Sequence, residues 1–235
     1  SEDALTAELE KASPREVLEW VAAKVDELAI TTSFQSSGLV LLHLLQSVKP
    51  GIPVLFLDTG FHFPETLEFR DRVVDTWGLN LVVLRGEHRS PEHQEEIYGP
   101  ALYRRRPDQC CTINKVEPLQ KALDGFDAWI SGLRRDQSRL RSGIPVAETQ
   151  TLPSGHQILK LHPLAGWTKS DVQAYTDAHH IPSHPLVDKG FASIGCWPCT
   201  RPVEQGEEER AGRWDGDDKS ECGIHTFGNE TRESV

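Results

Sequence analysis

The chain has 235 residues, 37% of them hydrophobic and 26% charged, with a formal net charge of -11. That length suits one α/β domain with an appended tail, and that composition buries a core beneath a strongly polar surface. The acidic balance excludes generic nucleic-acid binding, which needs a basic face, and no apolar run approaches a membrane-spanning length.

Residues 1–10 are polar and acidic, so no export signal is expected ahead of the first helix and a cytosolic setting follows. Five cysteines fit poorly with a simple disulfide framework. In a reducing compartment they serve metals or catalysis. Ser13-Pro14-Arg15-Glu16 reads as a capping box with proline at the first helical position, ahead of Val17, Leu18, Val21 and Val25 at helical spacing. Residues 28–34 are expected to form a strand, with a polar turn over 33–38. Residues 39–45 are apolar nearly all round, as in a helix buried against a sheet. Residues 53–58 are a short apolar run bounded by Gly and Pro, the pattern of a buried parallel strand.

Pro64 opens the next helix, and 79–84 reads as a third strand. Further strands are expected at 128–133 and 158–161. Thr168-Lys169-Ser170-Asp171 caps a helix that carries Val172, Tyr175 and Ala178. Alternating strands and helices predict an α/β fold with a doubly wound, mainly parallel sheet. From Pro202 the chain turns to Glu, Gly, Asp and Arg. The expected division is therefore a domain over 1–201 and a flexible arm over 202–235. That arm carries the fifth cysteine, Cys222.

Cys196-Trp197-Pro198-Cys199 is a C-x-x-C unit, open to three readings: half a metal site, a redox dithiol or two structural cysteines. It follows Ser193-Ile194-Gly195, a loop, which favours metal over a thioredoxin-type dithiol. Cys110 and Cys111 are the other half. Adjacent cysteines on a helix point about 100° apart and chelate one small tetrahedral ion poorly. The corners of an iron–sulfur cluster accept them more readily, and Cys₄ ligation is the usual cluster rule. Zinc and a ligand-free pair are the competing readings. Lys115 lies one helical turn beyond Cys111 and could offset cluster charge or hold an anion.

A polar turn between strand and helix presents N–H groups to an anion, and 33–38 is such a turn. Leu57-Asp58-Thr59-Gly60 ends the next strand, where open α/β sheets place ligands. Asp58 is a ribose acceptor there or the cap of the following helix. Arg134, Arg135, Arg139 and Arg141 crowd the loop after the strand at 128–133, and Arg210 and Arg213 stand among acids in the arm. Arginine's planar fork suits phosphate and sulfate oxygens. Arg104 to Arg106 read as ordinary surface cations.

These motifs resemble the sulfonucleotide reductases, and among them the iron–sulfur, thioredoxin-dependent adenylyl-sulfate reductases. The resemblance runs from about residue 30 to 226. It is carried most specifically by Cys110-Cys111, Cys196-Trp197-Pro198-Cys199 and Glu221-Cys222-Gly223-Ile224-His225. It implies a PP-loop (Rossmann-like) fold shared with adenine-nucleotide enzymes and a [4Fe–4S] cluster on Cys110, Cys111, Cys196 and Cys199. It places Ser33, Gln35, Leu57, Lys115, Gly132, Arg135, Arg141, Arg210 and Arg213 around the nucleotide.

The implied substrate is adenosine 5′-phosphosulfate (APS), since relatives specific for the 3′-phosphorylated form (PAPS) commonly lack the cluster cysteines. The implied reaction makes Cys222 the nucleophile. His225 is expected to orient or activate it, or merely to pack. A thioredoxin or similar dithiol protein resolves the S-sulfocysteine. Nucleic acid and membrane are not expected partners, and association into a homo-oligomer is compatible with the pattern. The turn lacks the second glycine and the aspartate of ATP-cleaving PP-loop enzymes. That weakens a rival reading as a cluster-dependent tRNA-thiolating ATPase. A PAPS or dual-substrate reductase is the nearer alternative, and a zinc-stabilised binding module a more distant one.

Overall fold

Helix α2 (Pro14–Lys24) starts as its sequence requires. In the computed structural model, which describes residues 2–88 and 90–227, the Glu16 N–H donates to Ser13 Oγ and the Ser13 N–H donates back to the Glu16 carboxylate. A short α1 (Glu2–Leu9) precedes it. Then β1 (Leu28–Thr31), α3 (Ser36–Val48), β2 (Pro53–Leu57), α4 (Pro64–Trp77) and β3 (Asn80–Leu84) alternate. Next come α5 (Pro91–Tyr98), α6 (Leu102–Arg105), α7 (Pro107–Cys111), a π-helical turn over Thr112–Val116, and α8 (Glu117–Leu123). The chain closes with β4 (Ala128–Ile130), β5 (Ala147–Thr151), β6 (Gln157–Leu161) and α9 (Lys169–Ala178).

The sheet order is β3-β2-β1-β4-β6-β5. Every pairing is parallel except β5 with β6. The period-2 alternation of the strands sorts the core. Ile30, Val54, Phe56 and Ile130 face α2, α3 and α9, against Val17, Val21, Leu41 and Val172. Ala29, Leu55, Trp129 and Ile158 face the other way, against Leu119 and Leu123 of α8. Each of the buried Val, Leu, Ile and Phe side chains contributes roughly 1.5–3 kcal/mol on burial.

Two expected strands end early. The Thr32 N–H still donates to Leu55 O, but the Thr32 hydroxyl accepts from the Phe34 N–H and turns the chain out of the sheet. Likewise β4 stops at Ile130, with one further bond from Ser131 N–H to Leu161 O. The β5–β6 hairpin was not anticipated, because Ala147–Thr151 alternates weakly. No helix among the described residues is long and apolar enough to cross a membrane. Going out from β1, β2 and β4 lead to opposite sides of the sheet. The crevice at the carboxyl ends of β1 and β4 is thus the switch point where open α/β sheets bind ligands.

Candidate active site

At that crevice the turn after β1 is built by Phe34. Its backbone is left-handed (φ 57°) and its ring is fully buried against Phe56. A bulky residue held at positive φ is strained, and here the buried ring holds it. The turn presents Ser33, Ser36, Ser37 and the first turn of α3 to a cleft of about 300 Å³. Gly132 closes the approach of β4: a Cβ there would lie 3.3 Å from Gly38 N. The Gln35 amide, in the cleft lining, is taken up by protein partners. It donates to Ser33 Oγ and Ile194 O, both at 2.7 Å, and accepts from the Ile194 N–H at 2.8 Å. That clasp ties the anion turn to the loop leading into Cys196. The Leu57 carbonyl is 2.8 Å from His62 Nε2.

Although the chain is acidic, cations line this cleft: Lys115, Arg134, Arg141, Lys169, Arg210 and Arg213. Arg134 is 1% exposed, donates to Ser37 Oγ and pairs with Glu209 at 2.9 Å. Arg141 and Arg210 share the carboxylate of Glu221. Burial pushes Arg210 down to about 10, and Arg141 beside it adds to the effect. Burial would raise the Glu221 carboxyl, but the arginines outweigh it and hold it below the ordinary range. Arg213 packs flat on Gly195, where a Cβ would lie 2.2 Å from Arg213 Nη2. Its Nη1 donates to Ser193 Oγ, and its buried Nε has no protein partner.

Beside the cleft is a second, small pocket lined by Cys110, Cys111, Cys196 and Cys199 together with Thr59, Asn114 and Trp214. All five cysteines are free thiols. Thr59 Oγ1 is 3.2 Å from Cys196 Sγ, and the side chains of Gln94 and Asn114 reach Cys110 Sγ at 3.8 and 3.6 Å. Burial raises the Cys110 thiol, pushes Cys111 up to about 12 and Cys199 up to about 11. Lys115 lines both pockets. Burial would lower its pKa, but the surrounding sulfurs of Cys196, Cys111 and Cys222 raise it. The π-helical turn over Thr112–Val116 widens the helix between Cys111 and Lys115, so the simple one-turn spacing expected from sequence does not hold. Among the described residues no three His, Cys, Asp or Glu side chains close on one point as a single-ion site requires.

The described part of the arm, to Phe227, is seated on the domain despite its polar composition. Trp214 N–H donates to Cys199 O, and Arg201 N–H to Gly212 O. Trp214 is 5% exposed, with Arg213 4.5 Å over its ring. Ile224 and Phe227 pack on the Trp129 face of the sheet. Gly223 (φ 91°) makes the turn between them and Cys222. Cys222, Ile224 and His225 line the cleft, so the arm brings its thiol to the cationic wall. Residues 228–235 lie outside the described residues.

Of the expected residues, Ser33, Gln35, Leu57, Lys115, Gly132, Arg141, Arg210, Arg213, Cys222 and His225 meet at this cleft. Two do not. Arg135 turns outward to Glu10 (2.6 Å) and Ile144 O (2.8 Å), and its neighbour Arg134 takes the inward position. Asp58 is held by Arg85 at 2.7 Å and accepts from the Gly60 N–H, so it caps its turn and does not face the cleft as a ribose acceptor would. Arg134 and Ser37, within the expected arginine loop and polar turn, and Gln137 also line the cleft, though none is among the nucleotide residues that the resemblance implies. Adjacent arginines give no signal of which one points inward until the short 3₁₀ turn after β4 is known.

A family model described as the phosphoadenosine phosphosulfate reductase domain matches residues 27–202. An adenosine 5′-phosphosulfate reductase of Streptomyces coelicolor is 43% identical over 219 residues, covering 93% of this chain and 90% of that one. A phosphoadenosine 5′-phosphosulfate reductase of Gloeobacter violaceus is 42% identical over 224 residues, covering 94% and 92%. Among solved structures, a phosphoadenylyl-sulfate reductase from Candida auris in complex with phosphate superposes with a TM-score of 0.75 at 32% identity. It covers 86% of this chain and 95% of its own.

Proposed function

The chain belongs to the phosphoadenosine phosphosulfate reductase family, and we propose that it reduces adenosine 5′-phosphosulfate to sulfite and AMP, in sulfate assimilation, through a covalent intermediate on Cys222. The relatives named as adenosine 5′-phosphosulfate reductases support the reaction. The observation that carries the mechanism is the meeting of Cys222 with an anion turn and a cationic wall at the sheet's switch point.

The reading of the cleft is as follows. The N–H groups of the turn over 33–38, with Lys115, Arg210 and Arg213, receive phosphate and sulfate oxygens. The Cys222 thiolate attacks the sulfur of the sulfate, the bond from sulfur to the bridging oxygen breaks, and AMP leaves with that oxygen. Cys222 is then an S-sulfocysteine. One thiolate of a dithiol protein, such as thioredoxin, attacks the Cys222 sulfur and sulfite leaves. The second thiol of that protein closes its own disulfide and frees Cys222, so the dithiol supplies the two electrons. The same thiol must meet a buried nucleotide and then an external protein. Opening of the arm over 202–235 between the two steps meets that requirement.

Four free thiols around one buried pocket fit a [4Fe–4S] cluster by donor chemistry, with Cys110, Cys111, Cys196 and Cys199 as its ligands. When bound, such a cluster supplies a fixed charge and a rigid scaffold next to Lys115. The four-thiol pocket supports APS as the substrate. The relative named for PAPS reduction at 42% identity keeps the 3′-phosphorylated nucleotide as the second reading.

The test is sulfite release from each nucleotide with thioredoxin as reductant, together with the mass of the Cys222 peptide after substrate alone. The expected result is release from APS and a gain of roughly 80 Da on Cys222, as covalent catalysis requires. Cys222→Ser should bind AMP, form no adduct and release no sulfite. Turnover by that variant, or a sulfonate on another cysteine, would overturn the mechanism.

A further inference from the structure

Lys160 is a buried cation that the reaction above does not use. It sits in β6 with its side chain 0% exposed. Its ammonium is 3.6 Å from Glu148, its register partner across the β5–β6 ladder, and 4.6 Å from the centre of the Trp129 ring. It also donates to the main-chain oxygen of His225 at 3.2 Å. The other groups around it are His162, which contacts Glu148 at 3.3 Å and Ser131 Oγ at 2.7 Å, and Arg141 and Glu221 on the cleft side.

Burying an ammonium in a sheet is costly unless its charge and its protons are both met. Glu148 meets the charge, and the arm carbonyl takes a remaining proton. Trp129 is fixed from behind, its Nε1 donating to Thr31 Oγ1 at 2.7 Å. Its ring lies nearly parallel to those of His225 and Phe227, at 11° and 4°, with centroids 5.8 Å away in each case. The Cys222 turn is therefore held on both sides: by Glu221 on the arginines before it, and by this lysine and tryptophan after it.

We infer that Lys160 is a positioning residue for the nucleophile: by holding the His225 carbonyl over Trp129 it fastens the far end of the arm and sets Cys222 in the cleft. The inference rests on the reading of Cys222 given above. The competing account is a lysine that only ties β5 to β6, with the arm indifferent to it.

Two variants test it in the full-length protein. Lys160→Gln removes the charge and draws the N–H donors one bond back from the His225 carbonyl, while leaving a polar group for Glu148. Lys160→Met combined with Glu148→Gln removes both charges together, so neither is left buried alone. Either variant that folds reads the arm. The expected result is at least tenfold faster proteolytic cleavage within 204–226 of the ligand-free protein. Sulfonation of Cys222 in a single turnover should be at least tenfold slower, while AMP affinity stays within threefold. Lys160→Arg, which keeps the charge and its donors, should stay near the parent in both readings. Cleavage and sulfonation rates within twofold of the parent in a folded variant would overturn the inference. So would an equal loss in Lys160→Arg. A parent that forms no adduct on Cys222 would instead strike at the proposed reaction, and proteolysis would still decide the role of Lys160.

Discussion

The Glu221 carboxylate bridges Arg141 and Arg210. Arg141 donates to it through Nε and Nη2, both at 2.7 Å, and Arg210 Nη2 adds a third bond at 3.3 Å. An internal anion thus occupies guanidinium groups of the cleft wall, one residue before Cys222. Glu221→Gln frees those cations and loosens the near end of the arm. Charged hydrogen bonds contribute roughly 1.5–3 kcal/mol. The variant should therefore bind AMP about tenfold more tightly by calorimetry while forming the Cys222 adduct about tenfold more slowly. Weaker AMP binding would show that Glu221 organises the arginines for substrate and does not compete with it.

Arg213→Ala should weaken nucleotide binding by roughly 1.5–3 kcal/mol, the contribution of a charged hydrogen bond. Its Nε is buried without a protein partner, so it is poised for a ligand oxygen. Arg135→Ala removes a half-exposed pair with Glu10, worth roughly 0–1 kcal/mol, and a bond to Ile144 O, both away from the cleft. Equal loss of affinity in the two variants, read by calorimetry, would place the nucleotide elsewhere.

Protein purified without oxygen should be brown, with about four irons per chain. Serine at any one of Cys110, Cys111, Cys196 or Cys199 should lose or destabilise the iron, because all four line one pocket. Cys222→Ser should keep it. Stoichiometric zinc with no iron would refute the assignment.

Stability should fall as the solution is acidified from pH 7 toward 4. His162 and His184 are both buried, and burial pushes each down to about 4. Nδ1 of His184 accepts from the Leu186 N–H at 3.1 Å, which puts its proton on Nε2, 2.9 Å from Thr66 Oγ1. In the unfolded chain both titrate near 6.5. Between about 6.5 and 4 the unfolded state therefore binds protons that the folded state refuses, and folding loses roughly 1.4 kcal/mol per pH unit for each histidine. A thermal midpoint that stays level down to pH 4.5 would count against both assignments.

Much of this arrangement is readable before folding. The capping box at Ser13, the apolar runs that became β1 and β2, and the paired cysteines each carry a local signal that tertiary structure kept. Arg134 and Arg135 could not be separated, because a one-residue difference in a 3₁₀ turn decides which guanidinium turns inward. Of the two readings open for Asp58, its bonds to the Gly60 N–H and to Arg85, 27 residues away, favour a capping role, and no local signal gave that distant partner. Lys160 gave no sign at all. A lysine in Gln-Ile-Leu-Lys-Leu looks like the solvent face of an edge strand, and the pairing of β6 between β4 and β5 is what buries it.

The clasp between Gln35 and Ile194 joins the turn after β1 to the loop that carries Cys196. The same side chain touches Ser33 of the anion turn and both main-chain polar groups of Ile194, two residues before Cys196. Stripping iron from the proposed cluster would free the Cys196 loop, and through Gln35 that slack would pass directly to the turn proposed to receive the nucleotide. A drop in nucleotide affinity on removal of the proposed cluster would therefore measure a mechanical linkage as well as an electrical one. Gln35→Ala separates the two: it cuts the linkage while leaving every thiol in place.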